Sequence, residues 1–391
     1  MNHKISIVGM GYVGCGNALM FAKKNLVSIV DIDHQKVKDF NLGKLPITDQ
    51  YAQKYFSEKN LNISATTDLL DSIKDSTFVI LALPTNFDES IMKYDTRNLE
   101  EVATKVLSKN TSVTIVIKST VDIGYTDYLK KKLNTTRILF SPEFLREGHA
   151  LEDNLSPSRI IIGGMDKISY KFKDLLLHSI NSRSVPVLMM TSNEAESVKL
   201  FSNTYLAMRV AFFNELDTFC LDNQINPQQV IEGVSLDSRI GKFYNNPSFG
   251  FGGLCLPKDS MQLLQRFKDA PHSLIKAIQD SNIERASFIA KKIFSKNPKI
   301  VGVYKLAMKE GSDNSRDSSV FKIIKGLVAY GIKVIVYDQT IKQLNIEGVE
   351  LIGNFNAFVK TSDLIISNRL DDRIKKYSSK LFSRDIYSTD V

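Results

Sequence analysis

The chain has 391 residues, of which 43% are hydrophobic and 24% are charged. These values are typical of a globular protein with two or three domains and a large core, and they exclude a disordered chain, a collagen-like repeat and a small disulfide-stabilised protein. Lys and Arg number 51 against 43 Asp and Glu, a net charge of +8 that favours anionic partners such as nucleic acid, acidic membranes or phosphorylated small molecules. Because the basic residues occur in doublets and short clusters, a solvated surface is the better explanation.

Cysteine usage and apolar runs narrow the class further. The three cysteines, Cys15, Cys220 and Cys255, are too few and too far apart for a disulfide framework or a zinc site, so we expect reduced thiols and no metal. The N-terminus opens directly into a strand pattern without the features of a secretory signal. No apolar stretch approaches the roughly 18 residues that span a bilayer. We therefore expect a cytoplasmic protein that binds no membrane.

The first half of the chain alternates short β-branched runs with helical patterns. Strands are predicted at residues 5–8, 27–30, 77–83, 112–117, 137–140 and 159–163. Strands interleaved with helices indicate βαβ units around a mostly parallel sheet.

Residues 191–223 differ from this pattern. Thr191 and Glu194 are spaced as in a capping box, and the rest of the segment contains neither Gly nor Pro. A helix of this length, rich in Leu, Phe, Tyr and Met, exceeds what one small domain needs to cover one face. It is predicted to connect domains or to form a dimer contact.

The α/β alternation resumes near the C-terminus. A Gly-rich stretch at 241–258 and further helix to about residue 296 lead to predicted strands at 299–304, 333–337 and 363–367. An apolar helical stripe runs from Val320 to Val328 between the first two of these strands. The predicted fold is α/β, with two Rossmann-like doubly wound domains joined by a long central helix. The predicted domains are a Rossmann-like domain at 1–190, a central helical and dimerisation region at 191–297, and a second Rossmann-like domain at 298–391.

A glycine fingerprint follows the first predicted strand. Gly9, Gly11 and Gly14 form G-x-G-x-x-G before a helical pattern, which suits a tight turn, close approach to a pyrophosphate, and close packing of helix on strand. Asp31 ends the next strand, 17 residues after Gly14, where a carboxylate would bind the adenosine ribose and repel a 2′-phosphate. The pattern predicts NAD rather than NADP. The alternative is an ordinary Gly-rich turn with a solvated aspartate.

Cys255 lies in the strongest local motif, GFGGLCLPKD at 250–259. Glycines allow a ligand to approach the backbone, and Lys258 favours a thiolate. A thiolate can add to an aldehyde, lose hydride from the thiohemiacetal, and leave a thioester for water to hydrolyse. The alternative is a buried packing residue, as most free cysteines are.

Two further groups carry candidate polar side chains. Lys199 and Asn203 are four residues apart on the predicted helix and would share a face, where they could stabilise an oxyanion or, on a surface, be ordinary solvated residues. Glu143 and Glu147 follow a predicted strand, where active-site loops of parallel sheets gather, and could include a general base. Glutamates in loops are also common on surfaces.

Taken in order, these segments resemble one family. They are the fingerprint at 9–14, IKST at 117–120, SPEFLRE at 141–147, residues 196–203, the motif at 250–259, and residues 309–316. Over almost its whole length the chain resembles the UDP-glucose 6-dehydrogenases, which are nucleotide-sugar dehydrogenases that oxidise an alcohol twice to an acid. Its compact length and YNNPSFG at 244–250 are most similar to the short bacterial enzymes that supply capsule or other polysaccharide synthesis.

The resemblance implies that two NAD per turnover convert UDP-glucose to UDP-glucuronate. Cys255 would be the nucleophile, and Lys199 and Asn203 would stabilise the oxyanion, with Lys199 also transferring protons. The remaining implied catalytic residues are Thr120 and Asp259, which would hold a water, and Glu143, the base for thioester hydrolysis.

The resemblance also implies two sets of binding residues. The predicted cofactor contacts are Gly9, Gly11, Gly14, Tyr12, Val13, Asp31, Thr85, Thr120, Glu147, Lys258 and Arg316. The predicted substrate contacts are Phe144, Leu145, Glu147, Lys199, Asn203, Arg239, Tyr244, Asn245, Gly252 and Lys309. Arg239 would reach across the interface of a homodimer. Residues 308–316 depart from the family pattern F-K-x-x-T-D-D-x-R but keep both of its cations, Lys309 and Arg316.

Three alternatives stay open at the level of sequence. A sister enzyme acting on UDP-N-acetylmannosamine or GDP-mannose would carry the same catalytic residues, although loop residues and length favour UDP-glucose. A nucleic-acid-binding protein would need a basic stripe or a binding module, and the sequence shows neither. An inactive scaffold disagrees with the presence of Cys255, Lys199, Asn203 and Asp259 together.

Overall fold

The computed structural model describes residues 3–88, 90–182, 184–253, 255–268, 270–306, 318–341, 343–344 and 346–388. The chain divides into two compact units, Met1–Phe201 and Ser202–Val391. Each unit is built around its own parallel sheet.

The first unit contains an eight-stranded sheet and a short hairpin. Its strands are β1 Lys4–Val8, β2 Leu26–Val30, β3 Ile63–Thr66, β4 Phe78–Leu81, β5 Phe87–Asp88, β6 Lys93–Tyr94, β7 Thr114–Ile117, β8 Ile138–Phe140, β9 Ile160–Gly163 and β10 Val187–Met190. The sheet order is β10-β9-β8-β7-β4-β1-β2-β3, and β5 pairs with β6. Neighbours run parallel except β8 and β9, which pair antiparallel at Phe140 and Gly163. The strands reverse order around β1 and β4, the doubly wound arrangement that places ligands at the carboxyl ends of the strands.

Helices cover both faces of this sheet. They are α1 Tyr12–Ala22, α2 His34–Asn41, α3 Gln50–Glu58, α4 Leu69–Ile73, α5 Arg97–Lys109, α6 Tyr125–Lys132, α7 Ala150–Leu155 and α8 Lys167–Ser179. Aspartates at 33, 49, 68 and 166 cap four of them by accepting hydrogen bonds from backbone N–H groups of the first turn. Successive residues of β4 enter opposite clusters, Phe78 and Ile80 on one face and Val79 and Leu81 on the other. The strands are therefore buried on both sides, as parallel sheets require.

The long predicted helix is confirmed as α9, Ser192–Asp222, which contains the point where the two units divide. Its capping box is formed, since Thr191 Oγ1 accepts from Glu194 N at 3.4 Å and the Glu194 carboxylate accepts from Thr191 N at 2.7 Å. These two bonds satisfy backbone N–H groups at the start of the helix that have no partner within the helix.

The second unit contains a five-stranded sheet of the same kind. Its helices are α10 Pro227–Ser235, α11 Leu256–Phe267, α12 Ser273–Phe294, α13 Ser319–Ala329, α14 Phe355–Thr361, α15 Asp372–Lys375 and a 3-10 turn at Ser378–Lys380. Its strands are β11 Ile300–Tyr304, β12 Lys333–Tyr337, β13 Val349–Leu351, β14 Leu364–Ile366 and β15 Leu381–Phe382, in the order β13-β12-β11-β14-β15. The apolar stripe predicted for α13 is buried at Val320, Ile323, Ile324 and Leu327.

The predicted α/β fold with two doubly wound sheets and a long helix is confirmed. Within the described residues, none of the helices combines the length and the apolar character needed to cross a bilayer.

Candidate active site

The glycine fingerprint forms the turn between β1 and α1. Gly9 has a φ of +107°, and a Cβ there would lie 2.4 Å from the Ala82 carbonyl oxygen. A Cβ on Gly14 would lie 1.8 Å from the Gly9 carbonyl oxygen, so helix and turn touch directly. A Cβ on Gly11 would instead meet nothing within 4 Å. Gly11 thus leaves open the space in front of the first turn of α1, where a pyrophosphate fits.

Asp31 lies immediately after β2 and faces this turn. Its Oδ2 accepts a hydrogen bond from Met10 N at 2.9 Å, and its Oδ1 accepts from Asp33 N at 3.1 Å. Thr85 and Thr120, two further predicted cofactor contacts, are buried and joined by a 2.6 Å hydrogen bond from Thr85 Oγ1 to the Thr120 carbonyl oxygen. Tyr12 and Val13 form the start of α1. The first unit therefore brings the predicted dinucleotide residues to the carboxyl ends of neighbouring strands, and they fit NAD.

The loop after β8 holds a buried ion pair. Lys199 Nζ lies 2.9 Å from Glu143 Oε1 and donates to the Glu143 carbonyl oxygen at 2.7 Å. The side chains are only 4% and 10% exposed, so Lys199 is not a solvated surface residue. Leu145 N donates to Glu143 Oε2 at 2.8 Å, and the Phe144 ring lies 5.4 Å from Lys199 Nζ. The predicted base and the predicted proton-transfer lysine are in direct contact.

The second unit places Cys255 at the start of α11. Cys255 is the N-cap residue of that helix and is half-buried, whereas Cys15 and Cys220 are buried. Its carbonyl oxygen accepts from Asp259 N at 3.0 Å, which closes the first turn. The positive end of a helix favours a thiolate, so this position suits a nucleophile better than a packing residue.

Asp259 connects two of the other predicted residues. Its side chain is fully buried, and Oδ2 accepts from Asn203 Nδ2 at 2.5 Å while Oδ1 lies 3.2 Å from Lys258 Nζ. Burying a carboxylate is costly unless it is paired, and here both oxygens have a partner. Asn203, Asp259 and Lys258 therefore form a fixed polar group one turn into the helix that begins at Cys255.

The predicted substrate residues of the second unit lie in the segment that leads to Cys255. Tyr244 has a φ of +56°, and the buried Asn245 donates through Nδ2 to Ser235 Oγ at 2.9 Å. Gly252 is half-buried. Arg239 is exposed and forms a bidentate pair with Asp237, at 3.0 Å from Nε and 2.6 Å from a terminal nitrogen.

The remaining predicted binding residues are Leu145, Glu147, Lys309 and Arg316. Leu145 and Glu147 are half-buried in the loop after β8. Lys309 and Arg316 lie outside the described residues.

Sequence reasoning missed two buried charges in the first unit. Lys118, directly after β7, is 6% exposed, and the sequence marks it only as part of the segment IKST at 117–120. Glu196 is fully buried and accepts hydrogen bonds from Gly124 N at 2.6 Å and from Thr126 N at 2.9 Å, where α6 begins. Burial raises the pKa of Glu196 to about 7, although these hydrogen bonds act to lower it. Lys118 follows the apolar run at 115–117 and Glu196 lies among polar residues, so the sequence offers no local signal for the burial of either.

Comparison with known proteins bears directly on this arrangement. Three models of the UDP-glucose/GDP-mannose dehydrogenase family match the chain: the NAD binding domain at residues 3–179, the central domain at 193–284 and the UDP binding domain at 302–389. The chain is 46% identical to the UDP-glucose 6-dehydrogenase of Campylobacter jejuni, covering 99% of this chain and 100% of that one. It is 43% identical to the UDP-glucose 6-dehydrogenase of Streptococcus pneumoniae, with coverages of 98% and 99%.

A solved structure shares the fold. The UDP-glucose dehydrogenase of Pyrobaculum islandicum superposes with a TM-score of 0.87 at 24% identity, covering 100% of this chain and 96% of that one. With the glycine turn, Asp31 and the matched NAD and UDP binding domains, the chain is an NAD-dependent dehydrogenase of nucleotide sugars. It belongs to the UDP-glucose/GDP-mannose dehydrogenase family. The predicted family and the predicted cofactor are both confirmed.

Proposed function

We propose that the chain oxidises the C6 hydroxyl of UDP-glucose to the carboxylate, giving UDP-glucuronate for capsule or other polysaccharide synthesis. The observation that carries this proposal is Cys255 at the N-terminus of α11, one turn before a buried Asp259 paired with Asn203 and Lys258. A simple alcohol dehydrogenase needs no thiol, whereas oxidation through the aldehyde to the acid requires a covalent tether. The names of relatives at 46% and 43% identity support UDP-glucose as the sugar nucleotide.

The chemistry assigned to Cys255 proceeds in balanced steps. The alcohol first loses a hydride and a proton to give an aldehyde. The Cys255 thiolate then forms a C–S bond to the aldehyde carbon, and the carbonyl electron pair moves to oxygen, giving a thiohemiacetal after protonation. Loss of a second hydride from carbon and of the hydroxyl proton leaves a thioester, which water cleaves to the acid with return of the thiol. NAD, when bound, supplies the hydride acceptor in each oxidation.

The buried pair in the first unit is assigned the proton transfers. Lys199 touches Glu143 at 2.9 Å, so a proton can pass between an ammonium and a carboxylate in direct contact. Glu143 is the proposed base that activates water for thioester hydrolysis. Thr120 is proposed to help hold that water, together with Asp259. Lys199 and Asn203 are the proposed donors to the developing oxyanion.

The binding residues are proposed by the same reasoning. Gly9, Gly11, Gly14, Tyr12, Val13, Asp31, Thr85, Thr120, Glu147, Lys258 and Arg316 are assigned to NAD. Phe144, Leu145, Glu147, Lys199, Asn203, Arg239, Tyr244, Asn245, Gly252 and Lys309 are assigned to the nucleotide sugar. We further divide the chain into an NAD domain at 1–190, a central region at 191–297 and a UDP domain at 298–391.

A homodimer through α9 is part of the proposal. Tyr205, Phe212 and Phe219 lie seven residues apart along this helix and are 55%, 56% and 61% exposed. Apolar residues at heptad spacing form one stripe, and such a stripe suits a second copy of the same helix. The exposed Arg239 would then contact the sugar nucleotide of the partner. Because both nucleotides are metabolites of the cytoplasm, we place the reaction there.

The proposal is tested by the stoichiometry of NADH formation. With UDP-glucose, wild type is expected to form two NADH per sugar nucleotide and to release UDP-glucuronate. Cys255→Ser is expected to lower UDP-glucuronate formation by about 10³-fold or more, as loss of a nucleophile does. Cys220→Ser is the matched control, since Cys220 is buried on α9 and has no assigned role.

Three results would contradict the proposal. One NADH per sugar would indicate a simple alcohol dehydrogenase, and full UDP-glucuronate formation by Cys255→Ser would remove the thioester. Preference for GDP-mannose or UDP-N-acetylmannosamine in the same assay would assign the chain to a sister activity instead.

A further inference from the structure

Lys118 is a buried lysine at the carboxyl end of β7. It directly follows Ile117, the last residue of that strand, and its backbone N–H donates to the Leu81 carbonyl oxygen of β4 at 2.9 Å. The residue is 6% exposed, although lysine side chains are almost never fully buried unless their charge is paired. Its position at the strand ends places it where parallel sheets bind ligands.

The side chain of Lys118 reaches the loop that carries Glu143. Lys118 Nζ donates to Ser141 Oγ at 3.3 Å, and Ser141 Oγ donates to the Ile161 carbonyl oxygen at 3.1 Å. The backbone N–H of Ser141 also donates to the Ile117 carbonyl oxygen at 3.0 Å. Lys118 therefore fastens the start of this loop two residues before Glu143.

Lys118 also lies near the ion pair of Lys199 and Glu143. Lys199 is in contact with Glu143, and the charges of both residues act electrostatically on Lys118. Burial lowers the pKa of Lys118 to about 8; the Glu143 carboxylate opposes this shift and the Lys199 ammonium adds to it. In its charged form, Lys118 adds a second positive charge near the Lys199–Glu143 ion pair.

We propose that Lys118 is a positioning residue of the oxidation, which holds the Glu143 loop through Ser141 and adds a second positive charge beside the Lys199–Glu143 pair. This inference rests on the proposed function, because it assigns Lys118 a role in the proton transfers of that reaction. Lys118 acts through Glu143 and Lys199, and it is not itself placed in contact with the reacting atoms.

The test compares Lys118→Met and Lys118→Arg with wild type in NADH formation from UDP-glucose between pH 6 and 10. Lys118→Met is expected to lower kcat at pH 7 by about tenfold or more, the size of effect seen for groups that support a reacting residue. Because Lys118 loses its charge near pH 8, wild-type kcat is expected to change near that pH, and Lys118→Met is expected to lack this change. Lys118→Arg keeps a cation that does not titrate, so it should keep more of the rate while also losing the change near pH 8.

The stability of the variants separates this role from a structural one. Replacing a buried charge by an apolar side chain of similar volume is often neutral or stabilising, so Lys118→Met should unfold at a temperature no lower than wild type. Between pH 8 and about 10.5 the unfolded chain holds the Lys118 proton more firmly than the folded chain, so wild-type stability should rise with pH and the difference from Lys118→Met should shrink. Lys4→Met is the matched control, because Lys4 begins β1 and so lies at the amino ends of the strands of the same sheet, away from the ends where Lys118 lies.

The outcomes are distinct. If Lys118→Met has the same kcat and the same pH profile as wild type, the inference is overturned. The proposed function is still supported in that case, because wild type forms NADH from UDP-glucose. A lower kcat that keeps the change near pH 8 assigns Lys118 a purely structural part and also overturns it. If Lys118→Met does not fold, the pH profile of Lys118→Arg decides. Absence of NADH formation by wild type itself refutes the proposed function and this inference together.

Discussion

The two sheets of the molecule begin with turns of the same design. In the first unit, Gly9 N donates to the Val30 carbonyl oxygen at 2.8 Å just after β1; in the second, Lys305 N donates to the Tyr337 carbonyl oxygen at 2.9 Å just after β11. Both residues have a left-handed backbone, with φ of +107° at Gly9 and +61° at Lys305. A glycine in one unit thus occupies the place of a lysine in the other.

The aspartates after the second strands correspond in the same way. Asp31 accepts from Met10 N at 2.9 Å and from Asp33 N at 3.1 Å. Asp338 accepts from Leu306 N at 2.8 Å and from Thr340 N at 2.9 Å. An aspartate at this place therefore supports the turn of a doubly wound sheet whether or not a dinucleotide binds there.

The comparison shows which part of the fingerprint is specific to NAD. The aspartate and its two hydrogen bonds are common to both units, whereas close contact between turn and sheet is particular to Gly9. In the second unit the side chain of Lys305 pairs with Asp371 at 2.6 Å. The glycines, more than the aspartate, distinguish a dinucleotide turn from its counterpart.

The largest expected effect comes from Gly9→Ala. The new Cβ would lie 2.4 Å from a backbone oxygen at a φ of +107°, so steric overlap adds to backbone strain. We expect the free energy of unfolding to fall by about 2–5 kcal/mol, from roughly 1–2 for the left-handed residue and 1–3 for overpacking. Urea unfolding measures this, with NAD binding as a second readout.

Gly43→Ala is the matched control for that variant. Gly43 also has a positive φ, +85°, but a Cβ there would meet nothing within 4 Å. It should lose only the strain component, about 1–2 kcal/mol. Equal losses in the two variants would show that the contact of Gly9 with the sheet does not matter.

A smaller effect is expected from Asp31→Asn and Asp338→Asn, compared with each other. Each amide keeps one acceptor and turns the other into a donor, so each turn loses one hydrogen bond, which costs about 1–2 kcal/mol of stability. Only Asp31→Asn should weaken NAD binding, by about tenfold or more, because only Asp31 is assigned to the ribose. Calorimetric titration with NAD measures the difference, and equal NAD affinity in both variants would remove Asp31 from the cofactor site.

In the two parallel sheets, the strands found from sequence are the central ones and those missed lie at the edges; the short hairpin of β5 and β6 was also missed. Residues 5–8, 27–30 and 77–83 are mostly apolar, with Ser6, Ser28 and Thr77 as the exceptions, because both faces of their strands are largely buried. The edge strands β3 and β10 in the first sheet and β13 and β15 in the second are partly exposed: β3 and β13 contain polar residues, β15 has only two residues, and β10 is apolar throughout but not fully buried. Hydrophobic patterns in the sequence reveal strands that are buried on both faces, and edge strands are not buried in this way.

The residues of the candidate site also differ in how clearly the sequence identifies them. Gly9, Asp31 and Cys255 were identified because each has a local signature in spacing or in neighbouring glycines. The contacts of Lys199 with Glu143 and of Asn203 with Asp259 each join residues 56 positions apart, so they follow from tertiary packing alone. For the same reason no local pattern distinguishes the buried Lys118 from a surface lysine, and its partners became evident only in the fold.

The smallest expected effect is that of Lys305→Gly, which gives the second turn the residue found in the first. Glycine relieves the left-handed strain, about 1–2 kcal/mol, but it loses about 0.5–1 kcal/mol to chain entropy and up to about 1 kcal/mol from the half-exposed pair with Asp371. Lys305→Met keeps the strain and removes only the pair, so Lys305→Gly should be at least as stable as Lys305→Met in urea. A clearly less stable Lys305→Gly would mean that the lysine backbone is unstrained, and the two turns would then differ in more than their side chains.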